Sequence, residues 1–227
     1  MEVLETLRGG LVVSCQPVDD GPMDRPGIVA AMAAAAVAGG AAGVRIEGVA
    51  NLVAARAAVR APIIGIIKRN LPDGPVRITP FARDVRDLVD AGADIVAYDA
   101  TDRPRPEPAA ALAATIRNAG RLAMADCATL TDGRRALADG AAILGTTLSG
   151  YTDETAGRGK GVDTDLIAAF QGLGAFVMAE GRVNTPDLAA RAMAAGADAV
   201  TVGTALTRLE HVTGWFRDAV ARGAAPR

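Results

Sequence analysis

A lysine closes an apolar stretch of this chain: Lys68 follows IIGII (Ile63–Ile67). An amine in such a place loses solvent and meets neighbouring cations, and both effects lower its pKa and free it to act as a base or a nucleophile. Other short apolar runs also end on polar groups, namely Gln16, Arg45 with Glu47, Asp99, Asp126, Thr147 and Glu180. Burying an unpaired charge is costly, so a set of such groups points to paired residues serving a polar substrate. Plainer readings stand beside this one. Asp99, followed by Ala-Thr, can cap a helix, and Arg45 and Glu47, two residues apart on one strand face, can pair with each other.

Two further strings carry glycines, AEGR (Ala179–Arg182) and VGTALTR (Val202–Arg208). Glycine lets an anion approach backbone N–H groups closely, and Arg208 can add a charge-assisted contact. A tight turn is the alternative use of the same residues. His211 and Trp215 with Phe216 fall in the last helical segment, where the histidine reads as packing or surface and the aromatic pair as an anchor for that helix.

These groups need a scaffold that brings strand ends together. Eight β-branched runs recur along the chain: 11–16, 43–48, 63–68, 94–99, 122–127, 142–147, 176–181 and 199–204. Ala-rich segments with helical spacing lie between them, such as 28–38, 81–91, 109–119 and 186–195. Alternation of strand and helix predicts a parallel sheet, because parallel neighbours need a crossover. Eight units predict a single (β/α)8 TIM barrel, one α/β domain over residues 1–227, with a doubly wound open sheet as the alternative. The helix-to-strand turns AGGAAG, DAGADI, ADGAAI and AAGADA are short and place Gly where a helix C-cap needs it. The strand-to-helix loops are longer and chemically richer, which marks the carboxyl ends of the strands as the functional face. In that frame the two glycine strings follow strands seven and eight, where such barrels often bind phosphate.

Composition narrows the partners. The chain has 24 Lys plus Arg against 26 Asp plus Glu, and no long run of either sign that would suit nucleic acid or a membrane surface. Half the residues are hydrophobic but only 3% are aromatic, so thin Ala-rich helices must pack closely. Cys15 and Cys127 lack CxxC spacing and, with one histidine, form no familiar metal motif. The first ten residues lack a secretory pattern. A cytoplasmic enzyme acting on a small molecule, without metal, is the expectation.

The strings VSCQP, AGVRIEGVANL, PIIGIIKRN, PVRITPF, AGADIVAYDAT, MADCATL, GTTLSGYT, AEGRVNTP and VTVGTALTRLEH, in this order, resemble the N-acylmannosamine-6-phosphate 2-epimerase family of bacterial sialic-acid catabolism. The resemblance implies conversion of N-acylmannosamine 6-phosphate to the gluco epimer with no cofactor. It implies Lys68 and Glu180 as catalytic residues, Gln16, Arg45, Asp126 and Arg208 as substrate contacts, and Gly181, Arg182, Gly203 and Thr204 near the phosphate. VGTALTR stands where the family more often has VGSAITR. The loop Asp153–Gly161 is Gly-rich and basic where relatives carry Pro and acidic residues.

Such an epimerisation removes the proton at C2 of an open-chain sugar and returns it to the other face. Lys68 suits the base, Glu180 its partner or the opposite proton carrier, Arg45 and Gln16 the carbonyl and acyl groups. A lysine at a strand end also suits an imine-forming aldolase, and a non-catalytic sugar-phosphate sensor would keep the phosphate site alone. A homodimer is expected, with the C-terminal helix contributing.

Overall fold

The computed structural model describes residues 2–72, 74–159 and 161–224. Eight parallel strands, β1 (Leu11–Cys15), β2 (Gly43–Glu47), β3 (Ile63–Ile66), β4 (Ile95–Asp99), β5 (Leu122–Asp126), β6 (Ile143–Gly145), β7 (Phe176–Ala179) and β8 (Ala199–Val202), pair in sequence order. The ring closes where Leu11–Val13 of β1 pair with Val200–Val202 of β8. Closure removes the open-sheet alternative. Each strand lies within its expected run; β4 reaches Asp99 as expected, and the others end one or two residues early, where the chain bends into the long loops.

Among the described residues ten α-helices accompany the strands: α1 (Glu2–Leu7), α2 (Pro26–Ala38), α3 (Val49–Ala58), α4 (Ala82–Asp90), α5 (Ala109–Asn118), α6 (Leu130–Ala138), α7 (Thr164–Gln171), α8 (Pro186–Ala194), α9 (Thr204–Thr207) and α10 (Leu209–Gly223). Gly40, Gly92, Gly140 and Gly196, just past α2, α4, α6 and α8, have φ between 88° and 103°, the left-handed region that a C-cap turn uses. Thr129 caps α6 in a reciprocal box with Asp132, and Thr185 caps α8 ahead of Pro186. Among the described residues no helix is long and apolar enough to cross a membrane.

The strands are buried on both faces, as parallel strands require. One set of side chains, including Ile64, Ile66, Ala97, Met124, Ile143 and Met178, fills the barrel interior. The alternate set, including Ile46, Ile63, Val96, Tyr98 and Val177, meets the helices. Cys15 lies in this outer layer, where burial pushes its thiol up to about 12. Helix α1, which the periodicity of the sequence did not announce, packs Val3, Leu4 and Leu7 against the interior cluster and so closes the amino-terminal end of the barrel. Gly43 makes room for it, since a Cβ there would lie 2.7 Å from Leu7 Cδ2.

One expectation fails. Trp215 and Phe216 do not anchor α10 against the barrel: they are 41% and 69% exposed, and α10 has no buried residue. Nothing local to an amphipathic helix says which surface it will meet.

Close packing gives a stability test. A Cβ on Gly65 in β3 would sit 2.8 Å from Leu52 Cδ1 of α3, 3.0 Å from Ala93 Cβ and 3.1 Å from Leu88 Cδ2 of α4. Overpacking of this kind costs about 1–3 kcal/mol. Gly65→Ala should therefore lower the thermal midpoint by several degrees in a calorimetric scan, and an unchanged midpoint would show that α3 and α4 shift without cost.

Candidate functional site

The inward-facing residues at the carboxyl ends of the strands border one cavity of about 600 Å3. Arg45 of β2 lies at its floor. This guanidinium is 1% exposed and reaches across the barrel to two carboxylates: Nη2 donates to Asp126 Oδ2 at 2.6 Å, and Nη1 to Glu180 Oε2 at 2.6 Å. Arg45 therefore pairs with β5 and the end of β7 rather than with Glu47. Burial alone would lower its pKa, but the Asp126 and Glu180 carboxylates hold it above the ordinary arginine value. Thr147 Oγ1 donates to Asp126 Oδ1 at 2.6 Å, and Glu180 N donates to Thr146 Oγ1 at 3.0 Å. The turn just after β6 thus holds the Asp126 carboxylate through Thr147 and the backbone of Glu180 through Thr146.

Asp126 is 0% exposed and lies behind Arg45, not on the cavity wall. The other resemblance-implied residues reach the cavity: Gln16, Arg45, Lys68, Glu180, and the loop residues Gly181, Arg182, Gly203, Thr204 and Arg208. Arg208 Nε donates to the Gln16 carbonyl at 3.1 Å. Arg182, at φ 57°, donates from Nε to the Gly161 carbonyl at 2.9 Å and from Nη1 to the Ser149 carbonyl, and it stacks 5.5 Å from the Tyr151 ring. Its guanidinium pins the loop after β6. Lys160 of that loop lies outside the described residues.

Lys68 is fixed by a wedge. The segment after β3 folds back so that Ile78 pairs antiparallel with Lys68, and Asp99 N donates to the Ile78 carbonyl at 3.1 Å. Thr79, a β-branched residue at φ 45°, donates from Oγ1 to the Ala97 carbonyl at 2.7 Å and seals the gap between β3 and β4. Glu47 Oε1 accepts from Lys68 N at 3.1 Å, and burial raises the Glu47 carboxyl. Burial, then the nearby Arg208 and Arg45 charges, hold the Lys68 amine below the ordinary lysine range. Burial raises the Glu180 carboxyl against the pull of Arg45. Of the 24 basic residues only Lys68 and Lys160 are lysines. An arginine cannot deprotonate in a protein, so the amine in this cavity is a chemical choice and not merely a charge.

The cavity also holds residues that the sequence reading did not single out. Ser14 Oγ accepts from Gln16 Nε2 at 2.7 Å. Thr201 presents a buried hydroxyl with no hydrogen-bond partner among the described residues. Their alternation along β1 and β8 was the available signal. Arg103 and Tyr151 also border the cavity, brought there by loops with no periodicity to read, while Trp215, expected as an anchor, borders it from α10. Asp99 does not cap a helix, but binds Thr101, Arg103 and Arg105. His211 is exposed.

An electropositive cavity with one deprotonatable amine, a buried carboxylate across from it and glycine turns after β7 and β8 can hold a phosphorylated polar ligand and move a proton on it. A family model described as "Putative N-acetylmannosamine-6-phosphate epimerase" matches residues 29–222. The "Bifunctional enzyme NanE/NanK" of Brucella melitensis biotype 1 is 58% identical over 225 residues, 99% of this chain, and the chain spans 43% of that protein's length. A protein of Actinobacillus pleuropneumoniae serotype 5b, "Putative N-acetylmannosamine-6-phosphate 2-epimerase", is 58% identical over 219 residues, covering 96% of this chain and 95% of its own. The structure of the N-acetylmannosamine-6-phosphate 2-epimerase from Clostridium perfringens superposes with a TM-score of 0.91 at 39% identity, covering 95% of each chain.

The electrostatics can be measured on Lys68 directly. In protein labelled with 13C at the lysine ε carbons, one of two resonances should titrate below the usual lysine pKa of about 10.4. Arg208→Gln removes a cation that disfavours the ammonium, so it should move that titration upward. A Lys68 resonance with ordinary titration, or one indifferent to Arg208→Gln, would contradict this account of the site.

Proposed function

The chain belongs to the N-acetylmannosamine-6-phosphate epimerase family, and on that premise we propose that it interconverts N-acylmannosamine 6-phosphate and N-acylglucosamine 6-phosphate in sialic-acid catabolism, working as one barrel domain without a cofactor. The observation that carries the reading is that Lys68 and Glu180 border a single cavity, an amine of lowered pKa and a carboxyl of raised pKa. They come from β3 and the end of β7, which stand opposite in an eight-membered ring.

In this reading the phosphate rests on the N–H groups after β7 and β8, at Gly181, Arg182, Gly203 and Thr204, with Arg208 supplying charge. Arg45 holds the carbonyl of the open-chain sugar, and Gln16 accepts the N–H of its acyl amide. The neutral Lys68 amine takes the C2 proton, which the adjacent carbonyl has made acidic, and the electron pair moves onto the carbonyl oxygen as an enolate. Arg45 stabilises that oxygen, because a guanidinium already oriented by Asp126 needs no reorganisation as charge develops. The proton returns to C2 on the opposite face, from Glu180 or from Lys68 after the chain turns. Asp126 acts through Arg45, as a positioning residue rather than a substrate contact.

Proton NMR of the protein with N-acetylmannosamine 6-phosphate in deuterated water tests this. The gluco epimer should appear with deuterium at C2 and without added cofactor. Lys68→Ala should lower the exchange rate by at least about a hundredfold, the lower end of a general base's contribution. Exchange that survives in Lys68→Ala would remove the base assignment. Binding without exchange in the natural protein would favour a sensor, and a borohydride-trapped adduct on Lys68 would favour imine chemistry.

We also propose a cytoplasmic homodimer. Two unpaired buried cysteines accord with a reducing compartment. Helix α10 offers Leu209, Phe216 and Val220, all more than 60% exposed, and the flank between α8 and β8 carries an apolar cavity of about 480 Å3 bordered by Leu11, Met193 and Leu206. Two unpartnered apolar surfaces on one chain are the ordinary makings of a self-association. Sedimentation should give a dimer that Phe216→Asp converts toward monomer, and a monomeric natural protein would end this proposal.

A further inference from the structure

The loop after β4 carries a charge cluster that the proposed reaction does not use. Asp99, 1% exposed, ends β4 facing inward. Its Oδ2 accepts from Arg103 Nη2 at 2.5 Å, and its Oδ1 accepts from Arg105 Nη2 at 3.0 Å and from Thr101 Oγ1 at 2.6 Å. Arg103 Nε donates to Thr101 Oγ1 at 2.8 Å. Arg105 spends its other contacts on the Asp99 and Thr101 carbonyls. Two guanidiniums on one carboxylate leave a surplus positive charge, and every member of the cluster is held by at least two bonds. Only one of the two arginines borders the cavity: Arg103 does, and Arg105 does not.

The position of Arg103 around the ring gives it a ligand. With the phosphate at β7 and β8 and C2 at Lys68 on β3, the C1–C2 end of the sugar lies under the loops of β3 and β4. The substituent on C2 is the acyl amide, an acceptor oxygen next to a small carbon chain. The same side of the cavity offers the Arg103 guanidinium next to two apolar groups, Pro75 and Ile78. Nε and Nη2 of Arg103 are committed to Thr101 and Asp99, which leaves Nη1 as the nitrogen for a ligand.

We propose that Arg103 is a specificity-determining residue whose Nη1 donates to the oxygen of the N-acyl group, with the acyl carbon chain against Pro75 and Ile78. Asp99 and Arg105 are its positioning residues. A guanidinium held in a rigid fork loses little freedom on binding and discriminates sharply, since a ligand without the acceptor leaves a buried donor unpaired. The inference rests on the epimerase reading for the direction in which the sugar lies.

Calorimetric titration with two ligands that share ring and phosphate separates acyl recognition from everything else. N-Acetylglucosamine 6-phosphate carries the acyl amide, and glucose 6-phosphate has a hydroxyl in its place. Arg103→Gln should weaken the first by about tenfold or more, the scale of one lost bond to a charged group, and change the second by no more than about twofold. Equal weakening of both would assign Arg103 to the general field of the cavity and overturn the proposal, as would no weakening of either. If Arg103→Gln does not fold, Arg103→Lys, which keeps the charge but cannot bridge Thr101 and Asp99 as a fork, should show the same selective loss. The selective loss of binding does not require C2 exchange, so a protein that discriminates the two ligands through Arg103 yet shows no C2 exchange would sink the epimerase reading and leave this one standing.

Discussion

The ion cluster of Arg45 with Asp126 and Glu180 is the interaction on which the rest of the site depends. Arg45 heads the fully buried side chains by size, and transferring such an ion out of water costs several kcal/mol unless partners offset it. Two carboxylates from distant strands do so, and the turn after β6 steadies them, Thr147 binding the Asp126 carboxylate and Thr146 the Glu180 backbone. The cluster therefore ties β2, β5, β6 and β7 together at the end of the barrel that opens on the cavity. Replacing Arg45 with an apolar group would leave two buried carboxylates facing each other. What stabilises the strand ends and what orients a charge toward a ligand are here one set of bonds.

The barrel was legible in the sequence because its strands are short, apolar and buried on both faces, while its helices carry glycine at their ends. Those signals are local. The polar strand-end residues were legible for a related reason: alternation along a strand puts 45, 68, 126 and 180 on the inner face, and a charge there has few uses. Their pairing was not. Arg45 and Glu47 are neighbours in sequence, but the guanidinium is long enough to cross the barrel, and the partners it finds are 81 and 135 residues away. The place of Asp126 behind Arg45 was not legible either, because position along a strand gives direction and not depth. The short helices α1 and α9 span too few residues for a period to show, and α10 has a period but no surface of its own barrel to bury it against.

The long loops owe their order to arginine. Arg182 holds two carbonyls of the β6 loop, Arg105 holds two of the β4 loop, and Arg69 binds the buried Asp84 at the head of α4 through Nε and Nη2. A planar fork can bridge groups in this way where a lysine offers a single point of charge. Loops fixed so firmly need no ligand to assemble them, and the cavity is shaped before anything enters it. The low aromatic content has the same sense on the other side of the strands, where alanine-rich helices such as α2 come close enough to hold the barrel with little bulk.

The near-exclusion of lysine from this chain makes its surface chemistry unusual. A reagent selective for primary amines meets two side-chain targets in the whole sequence, Lys68 and Lys160. Of these, Lys68 is the one whose burial and cationic neighbours shift it toward the neutral, nucleophilic form, and the same cations draw anionic electrophiles toward it. An acylating or aldehyde-bearing compound with a phosphate-like tail would thus be guided to Lys68. The arrangement that lowers the pKa of one amine also makes the cavity addressable by covalent chemistry, with the arginine-rich exterior left untouched.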